Sequence, residues 1–271
     1  MIFQIGMTIF VFIMTMSIIF WRPKGINEAW PASIGALVIL LMGVVSRGDI
    51  VDIISKIGKQ IEIQISGEDF FEGLLIHFGQ DIFVLFNGQQ FVYIPLLHVH
   101  SIKLSDKKNQ ITDNPTEQSF MEEVEAISYR KVLINAKGMF IEIYATGNIS
   151  FHGYILNVLN DYLISYSPVY KIIFIPLNHV KWLTTYNHNV TPYTLDNKAL
   201  PVKPSNISFS RTLEEQLKKS EGELVVFDGG IDPMKVGLLK EIENNLIELV
   251  IANGETVFLK QNHIKSVHLP Q

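Results

Sequence analysis

The sequence predicts a mainly β protein with short helices, in which an N-terminal two-helix transmembrane hairpin precedes three five-stranded antiparallel barrel repeats. Three observations carry that expectation: an apolar opening, a glycine spacing that recurs three times, and short runs that alternate apolar and polar residues. The chain has 271 residues, is 48% hydrophobic and has a mean hydropathy of +0.24. The apolar excess sits at the start, and the remainder has the composition of an ordinary globular sequence.

The first element is the hairpin. From Met1 to Trp21 the only strongly polar side chain is Gln4, a length suited to one bilayer crossing of about 20 residues. No basic n-region precedes a shorter apolar core, so the order of a signal peptide is absent. Pro23 and Gly25 break the helix in RPKGINEAWP, with Trp21 and Trp30 where interfacial aromatics belong. A second apolar run follows from Pro31 to Ser46. Residues 1–48 are therefore assigned to the hairpin, with residues 1–46 in contact with the lipid bilayer. Arg47, Lys56 and Lys59 after the second run outnumber Arg22 and Lys24 in the turn, which puts the repeats on the cytoplasmic side of the cell membrane.

The stretch IFVFIMTMSIIFWRPKGINEAWPASIGALVILLMGVVSRGDIVDIISKIG resembles the opening of the arsenical-pump (arsenite efflux) permeases. Trp21, Pro23, Lys24, Gly25, Ser33, Gly35, Ala36 and the run Gly43–Ser46 carry the resemblance, which covers residues 1 to about 58. It implies a two-span segment of a transporter. Two spans enclose no substrate site, because such sites lie between helices of paired repeats.

The repeats come next. Gly58, Gly138 and Gly222 each precede a strand-like run, and fifteen residues after each stands Gly73, Gly153 or Gly237. Eight residues further on are Asp81, Asp161 and Asn245, each followed by an apolar run. Then FVYIPLLHV, IIFIPLNHV and TVFLKQNHI place His98, His179 and His263 three residues after Pro95, Pro176 and Lys260. Equal offsets in three copies are the signature of an internal repeat. Each unit opens on a helical signal: VDIISKI, Ser119-x-x-Glu122 and Thr212-x-x-Glu215, the last two being capping boxes. Ile61, Ile63 and Ile65 alternate with Glu62 and Gln64, as a half-buried strand requires. The predicted division is repeat one at 52–105, a linker at 106–118, repeat two at 119–186, a linker at 187–209 and repeat three at 210–271. Both linkers are polar and contain proline, which suggests semi-independent domains.

The order of a helix, a strand bent at a central glycine, two long strands, a tight turn and a closing strand resembles the Sm-like barrel. The shared I-P-L-x-H-V ending resembles small Sm-like proteins of sporulating Bacillus-type bacteria. The resemblance implies that strands four and five join neighbouring barrels edge to edge, and it suggests a spore-coat setting. Lysine on a strand edge discourages pairing, so Lys260 is expected to make repeat three the cap of such an array.

The chemistry is sparse. Cysteine is absent, which removes disulfides and thiolate chemistry. No nucleophile elbow, P-loop, Rossmann fingerprint or H-E-x-x-H motif is present. His98-Val99-His100 puts two imidazoles on one strand face, a possible metal pair, but His100 does not recur in the other repeats, which points to a backbone role for the recurring histidine. Glu122–Glu123 and Glu214–Glu215 fit solvated helix starts, and Asp81 and Asp161 fit turn positions. Three Asn-x-Ser/Thr triplets, at Asn148, Asn189 and Asn206, have the spacing of glycosylation acceptors, which chance also supplies. RNA binding, which the Sm-like resemblance raises, would use Phe91, Tyr93 or Phe174 for stacking. The turns lack the Arg-Gly element of RNA-binding members, and 22 basic against 27 acidic residues argues against a nucleic-acid partner.

The functional expectation is a non-enzymatic, membrane-anchored structural or interaction protein associated with an envelope or spore coat. It has no cofactor and no metal, and it associates with itself or with protein partners through barrel edges. Two alternatives stand beside it: a truncated or fused arsenite-efflux permease fragment without transport activity, and an RNA-binding Sm-like protein.

Overall fold

The computed structural model describes residues 56–67, 69–105, 127–186, 192–195 and 208–270. The expected hairpin at 1–48, the first linker and Glu122–Glu123 lie outside the described residues. Ile57–Gln271 forms one compact unit.

Repeat one contains β1 (Gln60–Ile65), β2 (Phe70–Phe78), β3 (Ile82–Phe86), β4 (Phe91–Pro95) and β5 (Val99–Leu104). Repeat two contains α1 (Tyr129–Asn135), β6 (Phe140–Ala145), β7 (Ile149–Val158), β8 (Tyr162–Ser167), β9 (Lys171–Pro176) and β10 (Val180–Thr185). Repeat three contains α2 (Leu213–Lys218), β11 (Leu224–Phe227), β12 (Val236–Glu243), β13 (Leu246–Ile251), β14 (Thr256–Lys260) and β15 (Val267–His268). A single 3-10 turn separates strands four and five in every repeat, at Leu96–His98, Leu177–His179 and Gln261–His263.

The fold class differs from the expectation. The described strands form one antiparallel sheet of fifteen, in the order β14-β13-β12-β11-β15-β9-β8-β7-β6-β10-β4-β3-β2-β1-β5, rather than three five-stranded barrel repeats. Among the described residues no helix is long and apolar enough to cross a membrane, so the transmembrane part of the expected class finds no support there. Within a repeat, strands four and five do not pair with each other. Strand four pairs instead with strand five of the following repeat. Tyr93 and Val92 face Leu183 and Thr184 at the first joint, and Phe174 and Ile173 face Val267 and His268 at the second. The reason is the unsatisfied backbone that an open edge presents. A covalently linked neighbour reaches that edge at high effective concentration.

The cores follow the joints. One cluster unites Ile82, Val84 and Tyr93 of repeat one with Val132, Ile141 and Leu183 of repeat two. A second unites Tyr162, Ile164 and Phe174 of repeat two with Leu217, Phe227 and Val267 of repeat three. The expected semi-independence of the repeats gives way to shared packing. Part of the second linker also packs back: Pro192 is buried, and the Tyr193 ring lies edge-on to Phe140 at 6.3 Å.

Local chemistry explains the elements. Ile61, Ile63 and Ile65 are fully buried on one face of β1, and β6 repeats the same alternation. The described helix of repeat two starts at Tyr129, with the Ser128 hydroxyl accepting from the Lys131 N–H at 3.4 Å, while the expected start at Ser119 lies outside the described residues. Thr212 caps α2 by accepting from the Glu215 N–H at 3.3 Å.

Candidate functional site

Two sets of glycines hold each repeat in shape, for different reasons. Gly58, Gly138 and Gly222 adopt φ of +79°, +78° and +86°, a left-handed conformation that disfavours side chains. Each of their N–H groups donates to strand two of its own repeat: to Leu75 at 2.8 Å, Ile155 at 2.9 Å and Leu239 at 2.8 Å. Gly73, Gly153 and Gly237 have no such dihedral. A Cβ on them would meet a strand-three carbonyl oxygen at 2.7, 2.5 and 2.3 Å, of Phe86, Tyr166 and Val250. In all three repeats the register then shifts by one residue just past the glycine, a bulge that sharpens the bend of strand two.

Asp81, Asp161 and Asn245 occupy the turn between strands two and three. Their backbone carbonyls accept from Leu96, Leu177 and Gln261 at 2.8, 2.8 and 2.9 Å, one bond repeated three times. The aspartate side chains do something further. Asp81 Oδ1 accepts from the Tyr129 N–H at 2.6 Å, and Asp161 Oδ1 accepts from the Leu213 N–H at 3.0 Å. Each carboxylate therefore caps the first turn of the next repeat's helix, where a negative charge is favoured. Beside them, Gln80 N–H donates to the Ile127 carbonyl and Asn160 N–H to the Arg211 carbonyl, both at 3.1 Å.

The histidines complete the joints. His179 Nε2 lies 2.9 Å from the Asn262 carbonyl of repeat three, and Nδ1 lies 2.8 Å from Thr146 Oγ1. A carbonyl only accepts, so Nε2–H donates to it while the threonine hydroxyl donates to Nδ1, the pattern of a neutral ring. His98 stands in the same relation to repeat two: Nδ1 is 3.4 Å from Ser66 Oγ, and the buried Nε2 faces Asn178 without closing a well-formed bond. Burial is the main influence on both rings and lowers their pKa below 6.5, while the facing carbonyls of Asn178 and Asn262 oppose it. His263 is exposed, and among the described residues no further repeat packs on it.

Side chains unforeseen from sequence also bridge the first joint. Lys181 Nζ, almost fully buried, pairs with Asp69 at 2.8 Å, Thr184 Oγ1 donates to the Phe91 carbonyl at 2.8 Å, and Trp182 meets Phe71 edge-on at 5.5 Å. The only advance signal was position: all three follow His179 on strand five. Lys265 fills the place of Lys181 at the second joint, packing against Gly147 as Lys181 does against Gly67.

At the second joint lies a cleft of about 360 Å³ whose polar wall is Asp161, Asn178, His179, Asn245, Gln261 and Asn262. Asp161 and His179 there are engaged in structural hydrogen bonds. The phenols of Tyr129 and Tyr162 donate to the Leu177 and Ser210 carbonyls, and burial raises both pKa values. His100 is exposed while His98 is buried, and among the described residues no three His, Cys, Asp or Glu side chains gather for a metal. Glu214 pairs with Lys218 at 2.7 Å along the exposed face of α2. Phe91, Tyr93 and Phe174, the candidate stacking aromatics, are buried in the cores and offer no face to a base.

Comparison with known proteins divides the chain in two. The family described as "YwrJ third domain" matches residues 212–267, and "Arsenical pump membrane protein" matches residues 7–104. "Uncharacterized protein YwrJ" of Bacillus subtilis (strain 168) is 50% identical over 218 residues, covering 79% of this chain and 97% of its own length. "Putative arsenical pump membrane protein" of the same strain is 56% identical over 46 residues, 17% of this chain and 10% of its own length. "Arsenical pump membrane protein" of Escherichia coli (strain K12) is 42% identical over 40 residues, 15% of this chain and 9% of its own length. The chain thus spans about a tenth of the arsenical pumps that it matches.

Proposed function

Because the chain belongs to the YwrJ family, whose Bacillus subtilis relative it matches over 97% of that protein's length, we propose that its work is done by the three sheet-forming repeats and is structural. It is a non-enzymatic interaction protein in an envelope- or coat-associated layer, and its working surfaces are sheet edges. The observation that carries this reading is the reuse of one joint, strand four to the next repeat's strand five, twice along a single sheet. Three of the polar side chains that could suggest chemistry, Asp81, Asp161 and His179, serve those joints. The test is cross-linking in cells, with Phe258→Pro placed on strand β14, where the N–H points away from β13 to the open edge, to disrupt edge pairing. Large complexes that vanish in the variant are the expected result. Complexes unchanged by the substitution, or a turnover activity that survives it, would sink the reading.

A second reading follows from the arsenical-pump likeness, which is high in identity but covers about a tenth of the pump. We infer a shared segment without transport activity. Vesicles carrying this chain alone should accumulate no arsenite above empty vesicles, and measurable uptake would reverse that inference.

A further inference from the structure

The fifteen-stranded sheet ends on β14 at one side and β5 at the other. These strands are not two arbitrary edges. β14 is the fourth strand of repeat three, and β5 is the fifth strand of repeat one. Both internal joints are built from that same pair of strand types. We propose that the partner of the β14 edge is the β5 edge of a second copy of this chain, joined head to tail. The inference rests on the assembly role above and names its partner.

Aligning the repeats on their histidines puts Phe258 in the place of Tyr93 and Phe174, and Ile102 in the place of Leu183 and Val267. Tyr93 and Phe174 face Leu183 and Val267 across the two joints and are 0% and 2% exposed. Phe258 is 65% exposed. An aromatic side chain on an open strand edge is a surface that another strand can cover. A second feature points to the same partner. His98 and His179 each face the carbonyl of the residue preceding the next repeat's histidine, Asn178 or Asn262. His263 is exposed at the open end, and the residue preceding His98 is Leu97, 69% exposed on the free side of repeat one. A second copy docked in the register of the internal joints brings Ile102 to Phe258 and the Leu97 carbonyl to His263.

Lys260 does not block this contact. It takes the place of Pro95 and Pro176, and the joint registers use positions two and three residues before those prolines. The contact is heterologous, so each copy keeps one edge of each kind, and successive copies extend the array or close it into a ring.

The test is sedimentation of the full-length chain with one edge altered at a time. Phe258→Glu blocks the β14 edge and Ile102→Glu blocks the β5 edge. The unaltered chain should sediment as two copies or more, and each variant as one. An equal mixture of the two variants should recover a two-copy species, because each contributes the edge the other lacks; that recovery also reports that both are folded. Leu104→Glu, exposed on the same edge, replaces Ile102→Glu if the latter does not fold. Residues 1–46 are identical in all these proteins, so association through them would persist in every variant and would overturn the proposal. A mixture that stays at single-chain mass would overturn it too. A single-chain mass for the unaltered protein also overturns the copy-to-copy joint. Edge-dependent complexes with other proteins in cells would then still support the structural role.

Discussion

Strands β4 and β9 hold the same place in their repeats as β14, yet they live in different surroundings. All five residues of β4 and the last four of β9 are buried, whereas β14 alternates between exposed and half-buried positions. All three strands are apolar at their centres: Tyr93-Ile94, Phe174-Ile175 and Phe258-Leu259. The difference lies in the neighbour. β10 covers β4 and β15 covers β9, while no described strand covers β14. Burial in this protein is thus set by position in the array as much as by side-chain type.

The sharpest way to break that comparison is to truncate the equivalent aromatics. Tyr93→Ala should cost about 3–5 kcal/mol, the range for a buried aromatic. Phe258→Ala should stay within about 0.5 kcal/mol at concentrations too low for assembly. Denaturant unfolding measures both, and equal losses would show that the occupied joint adds nothing.

Next in size is the strand-two glycine. A Cβ at residue 153 would sit 2.5 Å from the Tyr166 carbonyl oxygen, so Gly153→Val should cost about 1–3 kcal/mol through overpacking and backbone strain. Repeat two shares a core with each neighbour, so all three repeats should melt together, rather than one alone as the polar linkers suggested. Separate thermal transitions would restore the picture of independent domains.

The helix caps offer a smaller contrast. Asp161→Ala removes a carboxylate that accepts from the first N–H of α2 and should cost about 0.5–2 kcal/mol, as loss of a cap does. Asn245→Asp creates the same side chain where no described helix arrives, and it should change stability by no more than about 0.5 kcal/mol. A large gain from Asn245→Asp would reveal an unforeseen helix at that turn.

Acidity produces the smallest effect. His98 and His179 ionise less readily in the fold than at their ordinary 6.5, chiefly because they are buried. The unfolded chain therefore takes up protons first. Stability is whole above about pH 6.5 and falls as pH drops through 6.5 towards the lower folded values. His179→Gln should flatten that slope. A slope indifferent to His179→Gln would place the acid sensitivity elsewhere.

Much of each repeat was legible from short-range rules. Fifteen residues separate Gly58, Gly138 and Gly222 from Gly73, Gly153 and Gly237, because a left-handed turn and a crowded strand bend both demand a residue without a side chain. The alternation at Ile61, Ile63 and Ile65 follows from the period of a strand. The recurrence of His98, His179 and His263 marked a repeated backbone role, and for His179 the structure places that role across a joint, on a carbonyl of the next repeat. The aspartates were legible as turn residues but not as caps, because the helices they serve start some fifty residues later in the chain.

The sequence by itself therefore determined the repeat, its strand pattern and the places where only glycine fits. Those features depend on sterics and periodicity within a few residues. Only the tertiary structure decided which repeats meet through the strand-four to strand-five joint that the resemblance implied, and that the joints run all the described strands into one sheet with cores shared between repeats. Every repeat carries both edge types, so local patterning cannot choose among the pairings. The choice falls to long-range packing, where burying Tyr93 against Leu183 and Phe174 against Val267 satisfies the open edges and merges the cores.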